Sequence, residues 1–173
     1  MPVSDQGVQS DRYQLIPRTL TFITRNDRVL LIKGSPKKRI WANLYNGLGG
    51  HVEQNEDLLK SARRELFEEC GLLVNDLWLA GVITIDTGKT PGIVVFVFRG
   101  DVSSEYPRDD PKIINSAEGE LEWVQTDRLD ALPLVEDLLV ILPKALSVPP
   151  QATPFIARYS YDHQGKLNIE FPT

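Results

Sequence analysis

Between Leu15 and Thr24, Leu20 and Phe22 alternate with threonines, a period-two pattern that predicts a half-buried strand. After the Asn26-Asp27 turn, Val29-Leu30-Leu31-Ile32 reads as a second, more buried strand. Two longer strands are predicted over Leu77–Thr87 and Ile93–Arg99, joined across Gly88 and Pro91-Gly92, and a short one over Leu121–Val124. Phe155–Tyr161 and Lys166–Phe171 alternate at period two around Asp162-His163-Gln164-Gly165, a hairpin signature.

The spacing predicts a helix over Asp57–Cys70. Asn55 is the expected N-cap, Glu56 and Asp57 suit the positive end of the dipole, and Gly71 suits the left-handed residue after it. A second helix is expected over Val135–Leu146, ended or kinked at Pro143. Gly34–Asn43 and Asp101–Ser116 read as loops, and Ser147-Val148-Pro149-Pro150 as a linker. Strands and helices mix without a regular βαβα rhythm, which favours a mixed β-sheet with flanking helices. The expected organisation is one domain over 12–146, a linker and C-terminal hairpin extension over 147–173, and a flexible segment over 1–11.

On a helical wheel advancing about 100° per residue, Leu58, Leu59, Ala62, Leu66 and Cys70 share one face. Glu65, Glu68 and Glu69 fill the adjacent arc, with Glu69 nearest the apolar edge. Each like-charge pair costs roughly 0.2–0.5 kcal/mol on an exposed helix. Arg64 can pair with Glu68 one turn on. Carboxylates crowded beside a core make sense where a hard cation neutralises them, although a solvated acidic face is the commoner outcome of such a pattern.

Composition narrows the alternatives. Hydrophobic residues make up 42% of the 173 and charged residues 25%, ordinary for a globular chain. A net charge of −5 argues against coating a nucleic acid polymer. Cys70 is the sole cysteine, so neither an intrachain disulfide nor a cysteine zinc cluster can form. The N-terminus lacks the pattern of a secretory signal, the longest apolar run (Ile93–Phe98) is far short of a membrane span, and a cytoplasmic location is expected.

Gly50, Glu56 and the run Arg64-Glu65-Leu66-Phe67-Glu68-Glu69-Cys70-Gly71-Leu72 match the pattern G-x5-E-x7-R-E-U-x-E-E-x-G-U at every fixed and aliphatic position over 23 residues. This stretch resembles the Nudix box, and the surrounding strands extend the likeness from about Arg18 to Leu146. The resemblance implies an α/β/α sandwich and a hydrolase of diphosphate linkages dependent on Mg²⁺, with Mn²⁺ as a substitute. It also implies that Glu65, Glu68, Glu69 and the Gly50 carbonyl hold the metal, that Arg64 orients a glutamate, and that Glu56 supports the loop. An acid on a later loop serves some members as general base. The box glutamates serve others; on the later loop Glu118 matches best, with Glu120 as the substitute, and the resemblance implies Glu118 as a further metal ligand.

The stretch Asn46-Gly47-Leu48-Gly49-Gly50 is similar to that of animal-type 8-oxo-dGTP diphosphatases, which makes Asn46 the base-reading candidate. Lys33 and Arg39 are candidates for phosphate contact; Trp41 and Tyr45 either stack on a base or cap the core, with the core favoured, and His51 is expected at a strand edge. Markers of ADP-ribose and dinucleoside-polyphosphate hydrolases are missing. The expected reaction therefore takes a nucleoside triphosphate, an oxidised purine such as 8-oxo-dGTP included, to monophosphate and pyrophosphate. Hydrolysis of ADP-ribose or another nucleoside diphosphate derivative is one alternative, and a non-catalytic nucleotide-sensing module another. The aromatic residues of the hairpin either cover the sheet edge or form a homodimer contact, and both readings stay open.

Overall fold

The computed structural model describes residues 2–7, 11–102 and 119–172. Its strands are β1 (Leu15–Arg25), β2 (Arg28–Gly34), β3 (Tyr45–Asn46), β4 (Leu77–Ile85), β5 (Gly92–Asp101), β6 (Gly119–Gln125), β7 (Phe155–Tyr161) and β8 (Leu167–Glu170). Among the described residues two α-helices accompany them, α1 (Leu58–Cys70) and α2 (Leu138–Leu146). The described strands form one mixed sheet in the order β3-β2-β1-β5-β4-β7-β8, with β6 also pairing β2. β1–β5 and β4–β7 run parallel; the other pairs of named strands run antiparallel.

The apolar run of β2, expected to be the more buried strand, is covered on both faces. Val29 and Leu31 join Phe22, Val97 and the α2 residues Leu138, Ile141 and Leu142 in one core. Leu30 and Ile32 join Ile23, Phe98 and the α1 residues Ala62, Leu66 and Cys70 in the other. One sheet between two helical layers is the expected α/β/α sandwich with its mixed sheet and C-terminal β-hairpin. Among the described residues, no helix is long and apolar enough to cross a membrane.

Two helix starts differ from expectation. The N-cap of α1 is Asp57, whose side chain accepts from the Lys60 N–H, whereas Asn55 takes a left-handed φ of 66° in the preceding turn. Short polar residues tolerate that conformation, so Asn55 turns the chain before the helix begins. α2 starts at Leu138 instead of Val135 because the preceding backbone is already committed. The Tyr45 N–H bonds to the Pro133 carbonyl, and the Val135 N–H bonds to the Tyr45 carbonyl. The helix runs through Pro143 to Leu146. The 147–173 stretch adds β7 and β8 to the same sheet, and Ala157 and Tyr159 are buried in the α2-side core.

Candidate active site

The segment after β3 folds back along β1. Thr21 and Leu48 exchange backbone hydrogen bonds, the Thr19 N–H donates to the Gly50 carbonyl at 2.9 Å, and the Val52 N–H donates to the Pro17 carbonyl. His51 lies opposite Arg18 on this ladder, at a strand edge as expected. Gly49 needs its missing side chain, with φ at 140° and the Thr19 carbonyl 2.3 Å from where a Cβ would sit. At Gly50 the same space is taken by the Glu65 carboxylate, 2.5 Å from a Cβ position. The two glycines let backbone and carboxylate meet where α1 faces the ladder.

Arg64 organises the acidic edge. Its Nε and Nη2 fork onto Glu56, both at 2.9 Å, and Nη1 donates to Glu65 at 2.9 Å and Glu68 at 3.1 Å. Nη2 also reaches the His51 carbonyl at 3.0 Å, tying the helix to the loop. The Glu56 side chain is only 7% exposed, and its hydrogen bonds with Arg64 hold its carboxyl down at about 2. The same partner raises the Arg64 guanidinium further above its ordinary range. Glu69 is half-buried, as the wheel places it, and accepts from the Gly49 N–H at 2.8 Å. Side-chain exposure is 16% for Glu65 and 56% for Glu68, so both retain oxygens open to the cleft.

Among the described residues, no three acidic, histidine or cysteine side chains converge on one point. Glu65 and Glu68 lean on Arg64, and Glu69 on the Gly49 N–H. The donor set nonetheless fits a hard cation. It is all oxygen, it lines one cleft, and the Gly50 carbonyl keeps a second lone pair beside the one used by Thr19. Glu118 lies outside the described residues; Glu120 is on β6 opposite Lys33.

The cleft has a volume of about 730 Å³. Glu65, Glu68, Glu69, Gly49, Gly50 and Asn46 line it, and so do Ile93 and Val95 of β5, Ile83 and Ile85 of β4, and Tyr159, Tyr161 and Leu167 of the hairpin. Glu136 and Asp137, ahead of α2, complete the lining at the hairpin side, where the Tyr159 hydroxyl donates to Asp137 at 2.9 Å. Burial raises the Asp137 carboxyl and the Tyr159 and Tyr161 phenols above their ordinary ranges. Asn46 Oδ1 accepts from the Gly47 N–H at 2.8 Å.

Lys33 and Arg39 are not among the cleft-lining residues. Lys33 lies over the Tyr45 ring, 5.7 Å from its centroid, and Arg39 is exposed in the loop after β2. Tyr45 is buried as expected, and its hydroxyl donates to Glu122, a bond that raises its phenol to about 12. Trp41 corrects the expectation of a core cap. It has φ at 62°, is 50% exposed and faces the cleft. Arg18, Glu136, Asp137 and the hairpin tyrosines were missed, because only the strand order brings them together.

A glycine-bearing loop and the acidic edge of α1 thus face one cleft on a mixed sheet between two helical layers. Residues 15–145 match the NUDIX domain family model, and the chain belongs to the Nudix hydrolase family. It is 33% identical over 129 residues to the "Oxidized purine nucleoside triphosphate hydrolase" of Danio rerio, covering 74% of this chain and 78% of that one. It is 31% identical over 122 residues to the "NAD-capped RNA hydrolase NudC" of Edwardsiella ictaluri, across 70% of this chain but 44% of the relative. In fold it is similar to the MutT protein of Bacillus halodurans, with a TM-score of 0.71, 23% identity, and coverage of 91% of this chain and 97% of that one.

Proposed function

We propose that this enzyme hydrolyses the diphosphate linkage of a purine nucleoside triphosphate, oxidised purines included, to a monophosphate and pyrophosphate with Mg²⁺ or Mn²⁺. The observation that carries this reading is the junction in one cleft of an acidic, oxygen-rich edge with an apolar and aromatic stretch. The first suits a metal-bound diphosphate and the second a flat base. Similarity to the Danio rerio hydrolase of oxidised purine triphosphates supports the substrate class.

Glu65, Glu68, Glu69 and the Gly50 carbonyl would hold the cation. Bound there, it would supply charge neutralisation at the diphosphate and acidify an attacking water. The chain's own residues fix the geometry around it. Arg64 holds Glu65 and Glu68 in place while anchored to Glu56, and the Gly49 N–H orients Glu69. Glu118 is the proposed later-loop acid. At the base end, Asn46 retains its amide donor, since its oxygen is engaged by Gly47. Asp137, with its carboxyl pushed up by burial, is suited to a hydrogen bond with a base edge.

Turnover of purine triphosphates, their 8-oxo forms, ADP-ribose, NAD and dinucleoside polyphosphates would be measured with Mg²⁺, with products identified by mass in ¹⁸O-water. Preference for a triphosphate with release of pyrophosphate is expected. Preference for ADP-ribose or NAD would replace the substrate assignment. Glu69→Gln is expected to lower kcat by about 10²-fold or more, the scale of losing one preorganised electrostatic group, and full retention would remove Glu69 from the mechanism.

A further inference from the structure

Two cationic side chains line the cleft among the described residues, Arg18 and Arg64. They stand in opposite situations. Arg64 is committed to the protein through Glu56, Glu65, Glu68 and the His51 carbonyl. The Arg18 Nε is buried with no hydrogen-bond partner in the protein, and no ion pair joins Arg18 to any described carboxylate, although Glu53, Glu65, Glu68 and Glu69 line the same cleft.

A guanidinium with a buried, unsatisfied N–H is costly to the fold, and buried polar groups without partners are rare. Arg18 is on the strand face of Leu20 and Phe22, the α2 side, where alternation along β1 turns it toward the cleft. Its neighbours there are Val95, its partner on β5, and His51 across the loop ladder. Neither Val95 nor the flanking Leu20 offers a side-chain acceptor. The ladder places it one residue from Thr19, whose N–H meets Gly50 at the edge of the acidic cluster. An arginine fork beside that cluster, left open by the protein, is complementary to a phosphate, whose oxygens accept two parallel N–H bonds.

We infer that Arg18 is a substrate-binding residue that takes a phosphate group of the nucleotide in the cleft that the carboxylates also line. The inference rests on the nucleoside triphosphate reading above and deepens it. A diphosphate in this cleft would meet Arg18 as well as the cation that Glu65, Glu68 and Glu69 would hold. The planar fork matters as well as the charge, so lysine is a partial substitute.

Calorimetric titration of the wild type, R18M and R18K separates the phosphate role from a packing role. The probes are an α,β-imido purine nucleoside triphosphate with Mg²⁺, inorganic pyrophosphate with Mg²⁺, and the parent nucleoside. R18M, which keeps the apolar stem, is expected to weaken the triphosphate analogue and pyrophosphate by about 10–100-fold, the scale of a lost charge-assisted contact. Nucleoside affinity should stay within about twofold, R18K should fall between, and the thermal midpoint of R18M should equal or exceed that of the wild type because an unsatisfied buried N–H is gone. Wild-type affinity of R18M for both phosphate probes, or an equal loss for the nucleoside, would overturn the inference. Arg18-dependent pyrophosphate binding in an enzyme that ignores nucleoside triphosphates would sink the substrate reading and leave Arg18 in place. Normal triphosphate turnover and binding by R18M would do the reverse.

Discussion

Gly49 and Gly50 are adjacent, yet an alanine at each should fail for a different reason. At Gly50 an added Cβ comes to 2.5 Å from Glu65 Oε1, about 0.9 Å inside an ordinary 3.4 Å contact, and its φ lies outside the left-handed region. What must yield is the end of a flexible side chain, so the fold survives and the carboxylate moves. Glu65 is held by Arg64 at 2.9 Å, and displacing it by nearly 1 Å breaks its alignment with the rest of the acidic edge. Misplacement of this size costs on the order of 10²-fold in rate. At Gly49 the added Cβ meets the Thr19 carbonyl oxygen at 2.3 Å, and φ is 140°. Backbone cannot swing away, and a strained non-glycine conformation of this kind costs of order 1–3 kcal/mol.

The assay is kcat at saturating Mg²⁺ and substrate, beside the thermal midpoint of each variant. Gly50→Ala should lose about two orders of magnitude in kcat with little loss in midpoint. Gly49→Ala should lose several degrees, given that about 1 kcal/mol shifts the midpoint of a domain this size by roughly 2–4 °C. Retention of kcat within about twofold by Gly50→Ala would refute the claim that Glu65 must touch this loop.

Two pH predictions follow from the shifted carboxyls. Glu56 is lowered in the fold, from an ordinary 4.5 to about 2, so its contribution is complete above 4.5 and is lost as pH falls through that range toward 2. The wild-type thermal midpoint should therefore fall more steeply below pH 4.5 than that of Glu56→Gln, and parallel curves would remove the pair from the stability of the loop. Asp137 is raised by burial, so the folded state binds its proton more tightly than the unfolded state, and stability declines as pH rises past the ordinary carboxylate range. Asp137→Asn keeps an acceptor for Tyr159 and removes that cost. Its midpoint relative to wild type should rise between pH 3 and pH 8, and a relative fall would contradict the burial argument.

What the sequence revealed was what it stores locally. The apolar face of α1 and its acidic edge repeat at helical spacing, so Leu66 and Glu65 could be assigned to core and cleft before any fold was known. The unbroken apolar run of β2 marked it as a buried strand. Charge alone was a poor guide, since Lys33 and Arg39 are as basic as Arg18 but lie away from the cleft. Asn55 failed as an N-cap because asparagine serves left-handed turns and helix caps equally well, and only the hydrogen bond to Lys60 separates it from Asp57. Arg18, Asp137 and Tyr159 are far apart along the chain. Their convergence follows from the order β1-β5-β4-β7, which no local pattern encodes.

That strand order also explains why the cleft extends past the family match, which ends at residue 145. β6 pairs with β2 and β7 with β4, on opposite sides of β1 and β5, so no tight turn can join β6 to β7. The chain has to leave β6, cross one face of the sheet as α2, and return beside β4. The crossover covers the core through Leu138, Ile141 and Leu142, and its first turn leaves Asp137 against Tyr159 on the arriving strand. The layer that buries one face of the sheet thus also closes one side of the cleft. The hairpin at 155–170 is fixed there by the same pairing that completes the sheet, so the acidic edge of α1 and the aromatic side chains of β7 are separate in sequence but line one cleft.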